Sequence, residues 1–211
     1  MSEIIIRDIK PEDIDHIKNV VREVWDWEGA FKDEDFIEAA VTIYFTPVLH
    51  EATFGRVAVL DGNVVGVIFG AVKGEKPQYK HLLDDLTPHI LTMIQSKESN
   101  RQGMYDYMTY QNQAYEALLD GVKDEYDGVL DFLVLSEAAH GKGIGWKLWL
   151  ALKKYFEEKN TAKVYVFSDN ECNFKFYEKQ GFDRRRKTDM LVVFSGVDDA
   201  TEQYLYEYIL R

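Results

Sequence analysis

Ala139-His140-Gly141-Lys142-Gly143-Ile144-Gly145-Trp146-Lys147-Leu148 is the stretch from which the rest of this 211-residue chain is best read. Its glycines stand between an apolar, strand-like run and a sequence with helical spacing. Lacking a Cβ, Gly141, Gly143 and Gly145 leave backbone N–H groups open, and the helix that follows turns its positive dipole end toward the same place. This is the chemistry of a cradle for an anion such as a pyrophosphate. Alternating glycines also make ordinary strand-to-helix turns, so the neighbours decide what the loop means.

Upstream, residues 129–135 form a nearly continuous apolar run interrupted by Asp131, which predicts a strand buried on both faces. Downstream, residues 143–159 predict a helix with Ile144, Leu148, Leu152, Tyr155 and Phe156 toward the core. Residues 163–168 read as another buried strand, after which Asp169 or Asn170 caps a short helix ending at Gly181. If Gly181 is the C′ residue, Tyr177 and Phe182 are the pair whose apolar contact accompanies a Schellman cap. Two strands, 182–194 and 203–210, close the chain.

Toward the N-terminus, residues 4–8 read as a strand, and Pro11 opens a helix with apolar Ile14, Ile17, Val20, Val21 and Val24. A second helix is expected over 35–45. Segments 56–60 and 64–72 form a hairpin through Asp61-Gly62-Asn63. Residues 74–127 break the rhythm with two helical patterns. Leu82, Leu86, Ile90 and Ile94 mark the first, with Thr87-Pro88 starting a fresh helix, and Met104, Met108, Gln111, Tyr115 and Leu119 mark the second. No flexible linker flanks this stretch, so we expect one mixed α/β domain over 1–211 with a helical insertion.

The formal net charge of −12 disfavours nucleic acid and anionic membranes as partners and favours a cationic amine. Arg184-Arg185-Arg186-Lys187 is the one dense basic run, expected on an exposed strand or turn. Cys172 is the sole cysteine, which excludes an intramolecular disulfide and a multi-cysteine zinc site, and the five histidines show no metal spacing. The start lacks a signal-peptide pattern and no run approaches the roughly 18 apolar residues of a membrane span, so a cytoplasmic setting is expected. Neither G-x-G-x-x-G after the first strand nor G-x-x-x-x-G-K-[ST] occurs, which argues against dinucleotide-dependent or nucleotide-hydrolysing chemistry.

The order of elements resembles the general N-acetyltransferase (GNAT) superfamily. Leu133-x-Leu135 followed by His140-Gly141-Lys142-Gly143-Ile144-Gly145 is similar to its acyl-CoA signature, and Asn170 to Tyr177 with Gly181-Phe182 is similar to its second signature. The resemblance covers roughly residues 4–72 and 128–182. It implies a mostly antiparallel central sheet flanked by helices, with acetyl-CoA as acyl donor, no metal, and a primary amine of a small molecule or peptide as acceptor. His140 stands where the family usually has Arg or Gln, and Asn173 where a small residue is usual.

By this resemblance the strands ending near Leu135 and Ser168 splay apart, and the pantetheine arm pairs with backbone groups around Leu133 and Leu135. An N–H near Leu135 would polarise the thioester carbonyl. The loop residues His140 to Gly145, with Lys142 rather than Lys147 as side-chain contact, and Asn170 are the remaining cofactor-binding candidates. Tyr177 is the candidate general acid for the departing thiolate, and Asp131 the candidate base, with Glu137 nearer the loop and facing solvent. Cys172 has no Asp/His arrangement around it and is read as structural. The insertion, rich in tyrosine at 105, 107, 110 and 115, is open to three readings: a lid, a dimer surface, or a patch that fills out the core. A non-catalytic acyl-CoA-binding module is the alternative to an enzyme.

Overall fold

Asp61 and Gly62 form the two-residue turn of the hairpin, with φ of 48° and 89° and Leu60 paired to Asn63, the positive-φ pattern that matches the twist of two antiparallel strands. The computed structural model describes residues 3–83, 85–194 and 197–210. In chain order these are β1 (Ile4–Arg7), α1 (Ile14–Val24), α2 (Trp27–Ala30), α3 (Glu34–Glu51), β2 (Phe54–Leu60), β3 (Asn63–Val72), α4 (Thr87–Gln95), α5 (Glu98–Leu119), β4 (Gly128–Leu135), α6 (Ile144–Glu158), β5 (Lys163–Asp169), α7 (Lys175–Lys179), β6 (Asp183–Phe194) and β7 (Val197–Ile209). The strands make a seven-stranded, mostly antiparallel sheet in the order β1-β2-β3-β4-β5-β7-β6, as the fold class predicted.

The chain divides into two compact units, residues 1–95 with 130–160, and residues 96–129 with 161–211. In the first, α1 buries Ile14, Ile17, Val20 and Val21, whereas Val24, expected on the same face, is exposed at the helix end. Helix α3 runs past the expected boundary at 45 and continues through Pro47 to Glu51. Pro47 is exposed, so the hydrogen bond it forfeits lies on the solvent side, while Phe45 and Leu49 remain fully buried. Helix α6 buries Ile144, Leu148, Leu152 and Phe156 as the spacing predicted. Tyr155 stacks on Phe54 at 4.9 Å and donates to Thr53 Oγ1 at 2.8 Å.

In the second unit, β5 pairs antiparallel with β7, which pairs with β6, and the start of β4 pairs in parallel with β5 at Gly128↔Val164 and Val129↔Tyr165. Strand β7 begins at Val197, earlier than expected, because its polar first half is recruited by main-chain pairing with β6 rather than by apolar burial. The insertion has the two expected helices. Helix α5 buries Met104, Ala114 and Leu118, and Met108, Gln111, Tyr115 and Leu119 of the predicted face lie half-buried, with Tyr115 stacked on Phe167 at 3.9 Å.

Candidate active site

Strand β4 corrects one expectation. Gly128, Leu130, Phe132 and Val134 are buried, while Val129, Leu133 and Leu135 are only partly covered and Asp131 is exposed. A continuous apolar run suggested burial on both faces; instead the period-2 alternation leaves one apolar face partly open, with a carboxylate in it. Phe132, on the closed face, packs against Trp25, Phe45 and Phe69 at 5.5, 5.5 and 6.5 Å. That aromatic cluster fixes the strand and so fixes where its open face points.

Asp131 touches solvent, yet protein crowds it densely enough that burial, reinforced by the charge of Glu51, raises its carboxyl from 3.8 to about 6. A carboxylate so placed accepts a proton near neutral pH far better than an ordinary aspartate. Glu51 was not a candidate from sequence, being the last residue of a helix 80 positions earlier.

At the far end of β4, Ser136 donates its N–H to Val65 of β3 at 2.9 Å. Successive N–H groups of a strand alternate in direction, so the Leu135 N–H faces away from β3. The Leu135 side chain lies across Gly66, where a Cβ would come within 2.4 Å of it and 3.1 Å of the Val134 carbonyl. After the short helical turn Glu137–Ala139, whose first N–H is held by Glu23 at 2.8 Å, the chain enters the glycine loop.

Gly141 and Gly143 have φ of 72° and 69°, and a Cβ at either would meet nothing within 4 Å. They are therefore needed for their backbone conformation and openness, not for close packing. Gly143 is the N-cap of α6, and no side chain caps the helix. The first-turn N–H groups at Ile144 and Gly145 are thus left for an external acceptor, as an anion cradle requires. His140 is exposed at the loop entrance. Lys142, also exposed, folds back to donate to the Ala138 carbonyl at 2.7 Å. These groups fit a pyrophosphate through main-chain donors, with side chains secondary.

In the second unit, Asp169 caps the turn after β5, its Oδ1 accepting from the N–H groups of Glu171 and Cys172 at 2.9 and 2.7 Å. Asn170, the other capping candidate, joins β7 instead: its Oδ1 accepts from the Glu202 N–H at 3.0 Å, and its own N–H donates to the Glu202 carbonyl at 3.1 Å. Cys172 is exposed at the surface, yet the protein packed around its thiol and the adjacent Asp169 push it up to about 12, so it remains protonated at neutral pH. Its Sγ lies 3.4 Å from Asp169 Oδ2.

Helix α7 ends in the Schellman geometry anticipated. The Phe182 N–H bonds the Tyr177 carbonyl at 3.0 Å, the Gly181 N–H bonds that of Glu178 at 3.1 Å, and Gly181 has φ of 88°. The rings of Tyr177 and Phe182 meet at 5.6 Å. Tyr177 is half-buried, and burial, reinforced by the negative charge of Asp169, raises its phenol so that it holds its proton throughout the neutral range.

Among the described residues no three His, Cys, Asp or Glu side chains gather as a metal site, and no helix is long and apolar enough to cross a membrane. Residues 21–182 match the family model described as Acetyltransferase (GNAT) family. Among solved structures, the PaiA N-acetyltransferase of Thermoplasma acidophilum, in complex with coenzyme A, is 16% identical with a TM-score of 0.54 over 99% of both chains. The polyamine N-acetyltransferase of Drosophila melanogaster is 11% identical with a TM-score of 0.60, over 99% of this chain and 100% of its own. An N-acetyltransferase of Staphylococcus aureus is 16% identical with a TM-score of 0.54 over 99% of both chains. No curated protein matches. At these identities the solved structures speak for the fold, while the family model spans most of the sequence and includes both motifs: the chain belongs to the acetyltransferase (GNAT) family, as an acyl-CoA-dependent acyltransferase.

Proposed function

We propose that the chain transfers an acetyl group from acetyl-CoA to a primary amine of a small molecule or peptide, by direct attack in a ternary complex. The observation that carries this reading is the open face of β4, where Asp131, Leu133 and Leu135 share one side of a strand that leads into the uncapped glycine loop. In this reading the loop N–H groups hold the pyrophosphate of acetyl-CoA, and the Leu135 N–H, directed away from β3, stabilises negative charge on the thioester oxygen. Asp131 takes a proton from the ammonium acceptor, leaving the lone pair free to attack the carbonyl carbon. As the C–S bond breaks, Tyr177 gives its proton to the departing sulfur and regains one from the acylated nitrogen, while Asn170, anchored to β7 through Glu202, stands as a contact for the cofactor.

The same reading needs no metal and suits a reducing, cytoplasmic setting, in keeping with a single, protonated cysteine. An acidic surface and Asp131 favour a cationic acceptor. Free-thiol release from acetyl-CoA across a panel of polyamines, amino acids and peptides tests the proposal. Release that depends on one amine class supports it; tight CoA binding with no release for any amine would instead identify an acyl-CoA-binding module.

A further inference from the structure

The basic run 184–187 belongs to the same unit as Tyr177, and each of its four cations has a partner there. Strand β6 pairs Arg184 with Tyr206 and Arg186 with Leu205, so Arg185 is the extra residue of a β-bulge. The bulge sends the three guanidinium groups to different places. Arg186 donates to the Asp120 carbonyl just beyond α5 at 2.7 Å, and Arg185 pairs with Glu207 and Glu125 at 3.0 and 3.1 Å.

Arg184 turns instead to α7. Its Nη2 donates to Glu178 Oε1 at 2.9 Å, its Nε donates to the Tyr206 hydroxyl at 2.8 Å, and its guanidinium carbon lies 4.0 Å from the Tyr204 ring centre. The Tyr206 hydroxyl donates to that same Glu178 oxygen at 2.8 Å. One carboxylate of α7 is thus held by two donors, one from each of the last two strands. The fully buried Tyr206 ring also lies 6.0 Å from the ring of Tyr177, so it touches both neighbouring residues of the helix.

Helix α7 has five residues, too few to be stable alone. The direction in which Tyr177 leaves it is therefore set by what grips Glu178 and the two rings. We infer that Arg184 is a positioning residue for Tyr177, acting through Glu178 and Tyr206 to aim the phenol; this rests on the reading of Tyr177 as the general acid. An arginine is needed because its planar fork stacks on Tyr204 while donating from two nitrogens, which a lysine ammonium cannot do.

A double-mutant cycle of Arg184→Ala and Tyr177→Phe, read as kcat and acetyl-CoA KM with melting curves alongside, tests this. Arg184→Ala should lower kcat by about tenfold with KM unchanged, since a misplacement of about 1 Å in a reacting group is enough for such a loss. Arg184→Lys should fail to restore it. On the Tyr177→Phe background, Arg184→Ala should cost nothing further. If it costs its full tenfold there, the positioning inference is overturned and Tyr177 keeps its role. If Tyr177→Phe itself leaves kcat unchanged, the general-acid reading fails and takes the inference with it. Should Arg184→Ala not fold, Tyr206→Phe deletes one donor while keeping the buried ring. It must then slow the native enzyme and leave the Tyr177→Phe variant unaffected; any other pattern overturns the inference.

Discussion

The glycine loop at 139–145 and the turn with its helix at 169–182 use side chains in opposite ways. In the loop the useful feature is what is missing: Gly141 and Gly143 are open, left-handed and unpacked, and α6 starts without a cap. In the second segment side chains are crowded together, with Asp169 capping a turn, Tyr177 wedged against Phe182 and Tyr206, and Glu178 doubly held. A region that works through its backbone tolerates changes of side-chain chemistry and not of conformation. A region that works through side chains does the reverse.

The sharpest way to break this contrast is Tyr177→Phe, which keeps the ring packing and deletes only the hydroxyl. Turnover should fall by about 100-fold or more, the usual span for a general acid, with acetyl-CoA affinity intact by calorimetry. Asp131→Asn comes next. The native enzyme should lose kcat as pH falls through about 6, where the raised carboxyl takes up its proton, and the Asn variant should be slower by about 100-fold above that pH and show no such limb.

The same carboxyl makes a prediction about stability. Its folded value lies above the ordinary 3.8, so the folded state binds the proton more tightly and the native protein loses stability as pH rises from about 4 through 6. Asp131→Asn should therefore melt higher than the native chain at pH 7 and no higher at about pH 3.

On the backbone side, Gly143→Val imposes a left-handed φ on a β-branched residue without creating a clash. Acetyl-CoA KM should rise by about 30-fold, in line with the roughly 1–3 kcal/mol that such strain costs, while kcat at saturation changes little. The smallest effect is expected at His140, an exposed side chain beside a main-chain site. His140→Gln should shift acetyl-CoA affinity only a few-fold by calorimetry; an unchanged affinity would mean the imidazole does not meet the phosphates.

The two segments were also unequally legible. Glycine alternation, helical spacing in 144–156 and the Gly181 terminus are local signals, and the hairpin at Asp61-Gly62, α6 and the Schellman cap follow from them. The half-open face of β4 was not legible, because leucine and valine occupy both faces and only packing distinguishes Leu133 from Phe132. Helix α3 outran its expected end because a proline on the solvent side costs less than one in the core. Glu51 near Asp131, and Arg184 with Tyr206 on Glu178, join residues distant in sequence or on different strands, and no period or spacing announces them. Of the two insertion helices, α4 groups with the first unit and α5 with the second.

The bulge at Arg185 has a consequence for how this chain can change length. Cross-strand partners share a face and neighbours along β7 alternate, so Arg184 opposite Tyr206 and Arg186 opposite Leu205 already lie on opposite faces, and Arg185 is the residue the bulge absorbs. Removing Arg185 would make Arg184 and Arg186 direct neighbours and leave both on the faces they now occupy. Arg184 would keep the face that reaches α7, and the loss would fall on the pairs Arg185 makes with Glu207 and Glu125. Position 185 is thus the place where β6 can shed a residue without turning over the side chains on either side of it.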